Sequence, residues 1–241
     1  MIVGGWVPEL VLAAAGDKHI GSNDVDIAID PAKVTEEGYR TIREHLLKRG
    51  YREGARQFTF LRTVNIHGRD ITVHVDFLSG EYGGTTRTHR HQRVQDLHLR
   101  KARGCDLALD NYTEVKLEGQ LPGGGRDSAT VRVACIVPFM IMKGMALADR
   151  TKEKDAWDIH FCLLRFPGGL DALAEEFRPH LGNGLVQEGL AKIKNKFASP
   201  DHVGPKWVAD FDGVTDPDAR IVREREAYER VNKLLELLGI D

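Results

Sequence analysis

Asp24 and Asp26 stand two residues apart in "GSNDVDIAID", residues 21–30, with Val25, Ile27 and Ile29 interleaved. Successive side chains of an extended chain point to opposite faces, so the two carboxylates share a face, roughly 6.5–7 Å apart along the backbone. Among apolar neighbours such a pair is costly: like charges repel, and desolvation disfavours the charged forms. A divalent cation neutralises both, and hard carboxylate oxygens select Mg²⁺ or Mn²⁺ rather than zinc. A third carboxylate, Asp76, sits in "ITVHVDFL", where Thr72, His74 and Asp76 alternate with Ile71, Val73, Val75 and Phe77. Three carboxylates from two neighbouring strands would make a two-metal site. One ion there activates an attacking oxygen, and the other holds a triphosphate and stabilises the leaving group. The plainer alternative is that Asp24 and Asp26 cap a turn or face solvent at a strand end.

Upstream lie Gly4-Gly5 and Gly21-Ser22. Glycine lets a backbone approach a phosphate closely, exposed N–H groups can cradle an anion, and Ser22 adds a hydroxyl. Each dipeptide is equally at home in a plain turn.

The elements that must hold these residues follow from the same pattern. "MIVGGW" reads as a strand running into a glycine turn, and two expectations stand for its abrupt start: an upstream helix missing or supplied elsewhere, or a true start at Met1. Alternation makes residues 24–30 a strand. A helix is expected from Pro31, with Tyr39, Ile42, Leu46 and Leu47 at helical spacing and Gly50 as its stop. "QFTFLRTVNI" and "ITVHVDFL" flank the turn "HGRD" as a hairpin, and "NYTEVKLEGQLP" and "SATVRVACIV" form another around "GGGRD". Between the hairpins, "GEYGGTTRTHRHQR" is expected to be a loop. Its Arg87, Arg90 and Arg93 could contact nucleic-acid phosphates, and His89 and His91 lack further ligands at metal-binding spacing.

Pro138 suits the first turn of a helix, "PFMIMKGMALADR", and "TKEK" joins it to "DAWDIHFCLLRF". Lys143 has Ala146 and Leu147 at i+3 and i+4, so its chain either snorkels along an apolar stripe or points into a cleft. Asp155 and Asp158 share a helical face, and Asp155 suits the helix start; it could equally pair with Arg150 or Lys152. His74 could orient Asp76, and the plainer alternative is a core or surface histidine. Trp6 and Trp157 read as packing residues, and "VREREAYER" as a solvated helix face. The remainder is mostly helical.

The 241 residues, 29% charged and 41% hydrophobic, have the balance of a globular protein with one large domain or two small ones. A net charge of −2 supplies no global basic field toward nucleic acid or membrane. Three scattered cysteines without CxxC spacing, and a start without a basic n-region, point to a cytoplasmic protein with reduced thiols and no signal peptide. No apolar run approaches the ~20 residues of a bilayer span.

Together, "VGGW", "GSNDVDIAID" and "VHVDFL" resemble the nucleotidyltransferase superfamily of DNA polymerase β type: apolar-Gly-Gly, a spacer, Asp-apolar-Asp-apolar, and a third Asp on a later strand. "MKGMALADRTKEKDAWDIHFCL" resembles the Lys…Ala-Leu…Arg…Lys-Asp…Asp segment of the AbiEii/AbiGii branch, the nucleotidyltransferase-like toxins of toxin–antitoxin systems. The resemblance covers residues 2–30, 71–78 and 138–165. It implies an α+β fold, with a minimal nucleotidyltransferase core and mixed sheet over residues 1–136 and a helical C-terminal domain over 137–241. It implies metal ligation by Asp24 and Asp26, with Asp76 as third ligand or general base. Lys143 would meet the triphosphate, and Asp155 would be the last motif's carboxylate. Gly4, Gly5, Gly21 and Ser22 become nucleotide-binding candidates. The spacer from Gly5 to Asp24 is longer than the usual pattern, which shifts the expected phosphate contact toward Gly21-Ser22. The implied activity is Mg²⁺-dependent (or Mn²⁺-dependent) transfer of NMP from an NTP to a hydroxyl, with RNA as acceptor and a cognate antitoxin protein as partner. The alternatives are a small-molecule nucleotidyltransferase of aminoglycoside type, or a nucleotide-binding module without turnover.

Overall fold

The computed structural model describes every residue except 13–17, 35, 67, 82–90, 95, 96, 122, 123 and 241, and the backbone alone for 36–41 and 91–94. The chain is α+β with a mixed sheet. It forms two units. The first holds Met1–Val11 and Gly21–Cys135; the second holds Leu12–Ile20 and Ile136–Asp241. No helix among the described residues is long and apolar enough to cross a membrane.

The first unit is built on one sheet. Its strands are β1 (Ile2–Val3), β2 (Asp24–Ala28), β3 (Arg52–Glu53), β4 (Thr59–Ile66), β5 (Arg69–Ser79), β6 (His91–Val94), β7 (Leu97–Lys101), β8 (Tyr112–Gln120) and β9 (Arg126–Ala134). The main path runs β3-β4-β5-β2-β1-β9-β8, and β7 pairs with both β5 and β6. β1 lies between β2, to which it is antiparallel, and β9, with which it runs parallel through Ile2 and Val133. Both expected hairpins form, Ile66 pairing with Arg69 across the first turn and Gln120 with Arg126 across the second. Of the expected loop over 80–93, residues 82–90 lie outside the described residues, and 91–94 is a strand instead, β6, paired with β7. β7 and the short helix α3 (Cys105–Asp110) follow a stretch too charged to show a clean period.

Alternation gives the sheet its core. Phe60, Val75, Phe77, Leu97 and Leu99 are buried together, with Val25, Ile27, Ile42 and Leu46 packed on them. Phe60 meets Phe77 edge-on at 5.7 Å. Each buried aromatic ring of this kind contributes about 2–3 kcal/mol through area removed from water. Ile42 and Leu46 come from α2 (Glu36–Lys48), which ends just before Gly50. α1 (Val7–Val11) completes this unit.

The second unit is a helical assembly of α4 (Ile136–Asp149), α5 (Glu153–Arg165), α6 (Gly169–Phe177), α7 (Gly184–Lys196), α8 (Val203–Phe211) and α9 (Pro217–Leu237). α4 is apolar nearly all round, which suits a helix buried among others. It meets α7 so closely that a Cβ on Gly144 would lie 2.7 Å from the Gly189 carbonyl oxygen. Asn183 and Asp216 cap α7 and α9 by accepting from the N–H groups of Leu185 and Ala219.

Candidate functional site

β2 and β5 are parallel neighbours, and their register is the central fact of the first unit. Asp24 pairs with His74 and Asp26 with Asp76. Register partners on adjacent strands point to the same face, their backbones about 4.8 Å apart. Asp24, Asp26, His74 and Asp76 therefore form a two-by-two patch. Val25, Ile27, Val75 and Phe77 point to the other face, into the core. Asp24 and His74 keep nearly half their side-chain surface in solvent, at 45% and 44%.

Each carboxylate has a distinct setting. Asp24 Oδ1 lies 3.9 Å from His74 Nδ1, so this histidine faces Asp24 rather than orienting Asp76. Asp76 is oriented instead by Thr59, whose hydroxyl donates to Oδ1 at 2.6 Å. Thr59 is the antiparallel register partner of Asp76. Counting outward from the "HGRD" turn along both arms would have found it. Asp26 lies against the backbone of Gly4: a Cβ on Gly4 would be 2.0 Å from Asp26 Oδ2, and Gly4 has φ +73°. Space and dihedral together restrict that position to glycine. The long spacer does not keep Gly4 away, because β1 pairs back onto β2 with Val3 opposite Asp26. Gly5 is buried in the 3-10 turn Gly4–Trp6. Ser22 Oγ accepts from the Asp24 N–H at 3.3 Å, opening the strand, and Gly21 lies beside the Trp6 ring.

These residues fit Mg²⁺ or Mn²⁺ in donor type, in shared face and in register. They are not drawn around one point: no group of three His, Cys, Asp or Glu among the described residues converges as a ready-made metal cluster. Asp76 is engaged by Thr59 and Asp24 faces His74, so convergence requires side-chain rotation.

Lys143 and Asp155 belong to the second unit, in a buried ion-pair network on α4 and α5. Lys143 Nζ donates to Asp155 Oδ1 at 2.8 Å and lies 2.6 Å from Asp158 Oδ2, off the line of an aligned hydrogen bond. Arg150 grips Asp155 with two hydrogen bonds, 2.7 and 3.0 Å. Lys154 and His19 both reach Asp158 Oδ1, at 2.6 and 2.9 Å. Both aspartate side chains are fully buried, and Lys143 keeps 10% of its side-chain surface. Burial alone would raise the carboxyl pKa values; Lys143, with Arg150 at Asp155 and His19 and Lys154 at Asp158, outweighs it and holds both below the usual range. Burial pulls Lys143 down, but Asp158 and Asp155 together raise it. Lys154 stays below its ordinary value, burial outweighing Asp158.

Spacing places Asp155 and Asp158 on one face and names Arg150 as a partner. Nothing in the sequence points to His19, which comes from the spacer itself. Arg87, His89 and Arg90 lie outside the described residues, and His91 and Arg93 are on β6. Trp157 packs on His19, Phe161 and Phe211, with its indole N–H donating to Asp212. The charges of "VREREAYER" lie on α9 and pair along and beside it, Arg223 with Asp212 and Glu226, and Arg230 with Glu226.

The class these observations define is an α+β protein with a carboxylate patch on one sheet face and a separate helical unit. No family model, curated protein or solved structure matches the chain.

Proposed function

We propose that this chain is a metal-dependent nucleotidyltransferase that moves NMP from an NTP to a hydroxyl acceptor. The observation that carries the reading is the β2–β5 register, which sets Asp26 opposite Asp76 with Asp24 one pair away on the same half-exposed face. Asp24 and Asp26, with Asp76, would hold the divalent cation, which supplies positive charge against the triphosphate and favours ionisation of the acceptor hydroxyl.

The chain's own groups have separable tasks. Gly4 offers backbone beside Asp26, where a side chain would block approach. Asp76, steadied by Thr59, takes the acceptor proton as the hydroxyl oxygen bonds to the α-phosphorus and the bond to the β-phosphate's bridging oxygen breaks, releasing pyrophosphate. Lys143 meets the triphosphate, as the resemblance implies, with Asp155 and Asp158 fixing its ammonium. RNA as acceptor and a protein antitoxin as partner rest on the resemblance of residues 138–165. Cys105 and Cys162 carry free, buried thiols, and burial pushes that of Cys105 up to about 12, which keeps it unreactive; the cytoplasmic location rests on the scattered cysteines of the sequence.

The test is label transfer from α-labelled NTP to total RNA with Mg²⁺. Asp24→Asn/Asp26→Asn should reduce transfer to background while the circular dichroism spectrum and unfolding midpoint stay near wild type. Full transfer by the double variant would overturn the metal assignment. Nucleotide binding without pyrophosphate release by the wild-type protein across RNA, protein and small-molecule acceptors would identify a module without turnover.

A further inference from the structure

The spacer between Gly5 and Asp24 does more than connect. Its part Leu12–Ile20 belongs to the helical unit, although the chain on both sides belongs to the sheet unit. Two of its described residues are buried, Leu12 and His19. The His19 ring lies against Trp157 at 5.1 Å and meets Phe161 edge-on at 4.9 Å, and its Nε2 is 2.9 Å from Asp158 Oδ1 with both side chains fully buried. The cations that share Asp158 with it, Lys143 and Lys154, sit on α4 and α5. Among these three, His19 alone reaches Asp158 from outside those helices.

That geometry gives His19 leverage over Lys143. Asp158 Oδ1 receives His19 and Lys154, and Oδ2 faces the Lys143 ammonium. Without the His19 donor, Oδ1 keeps only the Lys154 ammonium, carried on a flexible side chain of the same helix, so the carboxylate plane that faces Lys143 is less firmly fixed. We infer that His19 is a positioning residue: through Asp158 it fixes the Lys143 ammonium in its binding attitude, so the unusual spacer is part of the nucleotide-binding machinery. The inference rests on the reading that Lys143 meets the triphosphate.

Two substitutions separate the donor from the ring. Phe keeps the stack on Trp157 and Phe161 but cannot donate, whereas Gln places an N–H near Nε2 but gives up the ring. Losing a hydrogen bond to a buried carboxylate corresponds to about a tenfold effect. His19→Phe should raise KM for NTP about tenfold with a smaller change in kcat, and His19→Gln should stay within about threefold of wild type. A second readout needs no turnover: modification of Lys143 by a small amine-directed reagent, followed by peptide mass spectrometry on the folded protein. Lys143 should label several-fold faster in His19→Phe and near the wild-type rate in His19→Gln. The opposite ranking, with Gln perturbed and Phe silent, would show that His19 only packs and would overturn the inference. Should Phe fail to fold, His19→Met takes its place as the variant that cannot donate: Lys143 labelling several-fold faster than in wild type supports the positioning role, and labelling at the wild-type rate overturns it. A wild-type protein that transfers no nucleotide removes the nucleotidyltransferase reading, while the labelling ranking still decides whether His19 holds Lys143.

Discussion

The two units each carry a close pair of aspartates and treat them in opposite ways. On α5, Asp155 and Asp158 are three residues apart and fully buried, and Lys143, Arg150, Lys154 and His19 surround them. On β2, Asp24 and Asp26 are two residues apart on a sheet face; Asp24 is nearly half exposed, and the basic side chain beside it is a histidine at 3.9 Å. The helical pair is compensated within the fold, so its charges serve geometry. On the strand, Asp24 keeps 45% of its side-chain surface in solvent, within reach of a ligand. Like residues at like spacing thus take different roles according to which cations the tertiary structure brings to them.

The sharpest way to break the contrast is to remove charge from the compensated pair. Asp158→Asn leaves Lys143 and Lys154 buried beside a neutral amide, and breaking a buried pair this way costs about 3–5 kcal/mol. Chemical denaturation should show that loss, whereas Asp24→Asn should change stability by no more than about 0.5 kcal/mol, as at ordinary surface sites. Equal losses at the two positions would erase the distinction.

Next in size is a pH effect confined to the helical unit. His160 on α5 is 2% exposed, and neither ring nitrogen has a hydrogen-bond partner among the described residues. Burial lowers its pKa from 6.5 to about 4, with Glu226 of α9 and Asp212 after α8 opposing and Arg223 and Arg230 of α9 reinforcing. The unfolded chain therefore binds a proton that the folded chain refuses, and stability falls as pH drops from about 6.5 toward 4. The full loss is about 3 kcal/mol, from a shift worth roughly 1.4 kcal/mol per pH unit. His160→Phe should flatten that limb of a stability–pH curve. Asp155 and Asp158, held low, add a further loss only as pH falls below about 4.

Smaller effects sharpen the sheet site. Gly4→Ala puts a methyl group into Asp26 and forces an alanine to φ +73°, for about 1–3 kcal/mol of strain and a transfer rate reduced tenfold or more. Thr59→Val removes only the hydroxyl that steadies Asp76, so stability should change by about 1 kcal/mol and transfer by a few-fold. A Gly4→Ala variant with unaltered transfer would separate that glycine from the chemistry.

What is legible in the sequence is local. Alternation marks β2 and β5 and puts each aspartate on its face, and turn residues locate both hairpins. What stays hidden is pairing across distance. The parallel register of Asp26 on Asp76 leaves no periodic trace, nor does the return of β1 that brings Gly4 to Asp26. His19 is invisible for the same reason: a lone histidine in a spacer says nothing about a helix about 140 residues later. β6 reads as loop because its four residues close a turn-rich stretch and are too few to show alternation.

The place of β1 bears on timing. Wedged between β2 and β9, it joins Ile2 to Val133 across about 130 residues of chain. At roughly 5–20 residues per second, the ribosome needs on the order of 7–26 s to deliver that partner. Until then β1 can rest only on β2, and the sheet ends in a half-made edge beside the carboxylates. The edge beside the candidate site is therefore closed late, by β9, after Asp24, Asp26 and Asp76 have already been made.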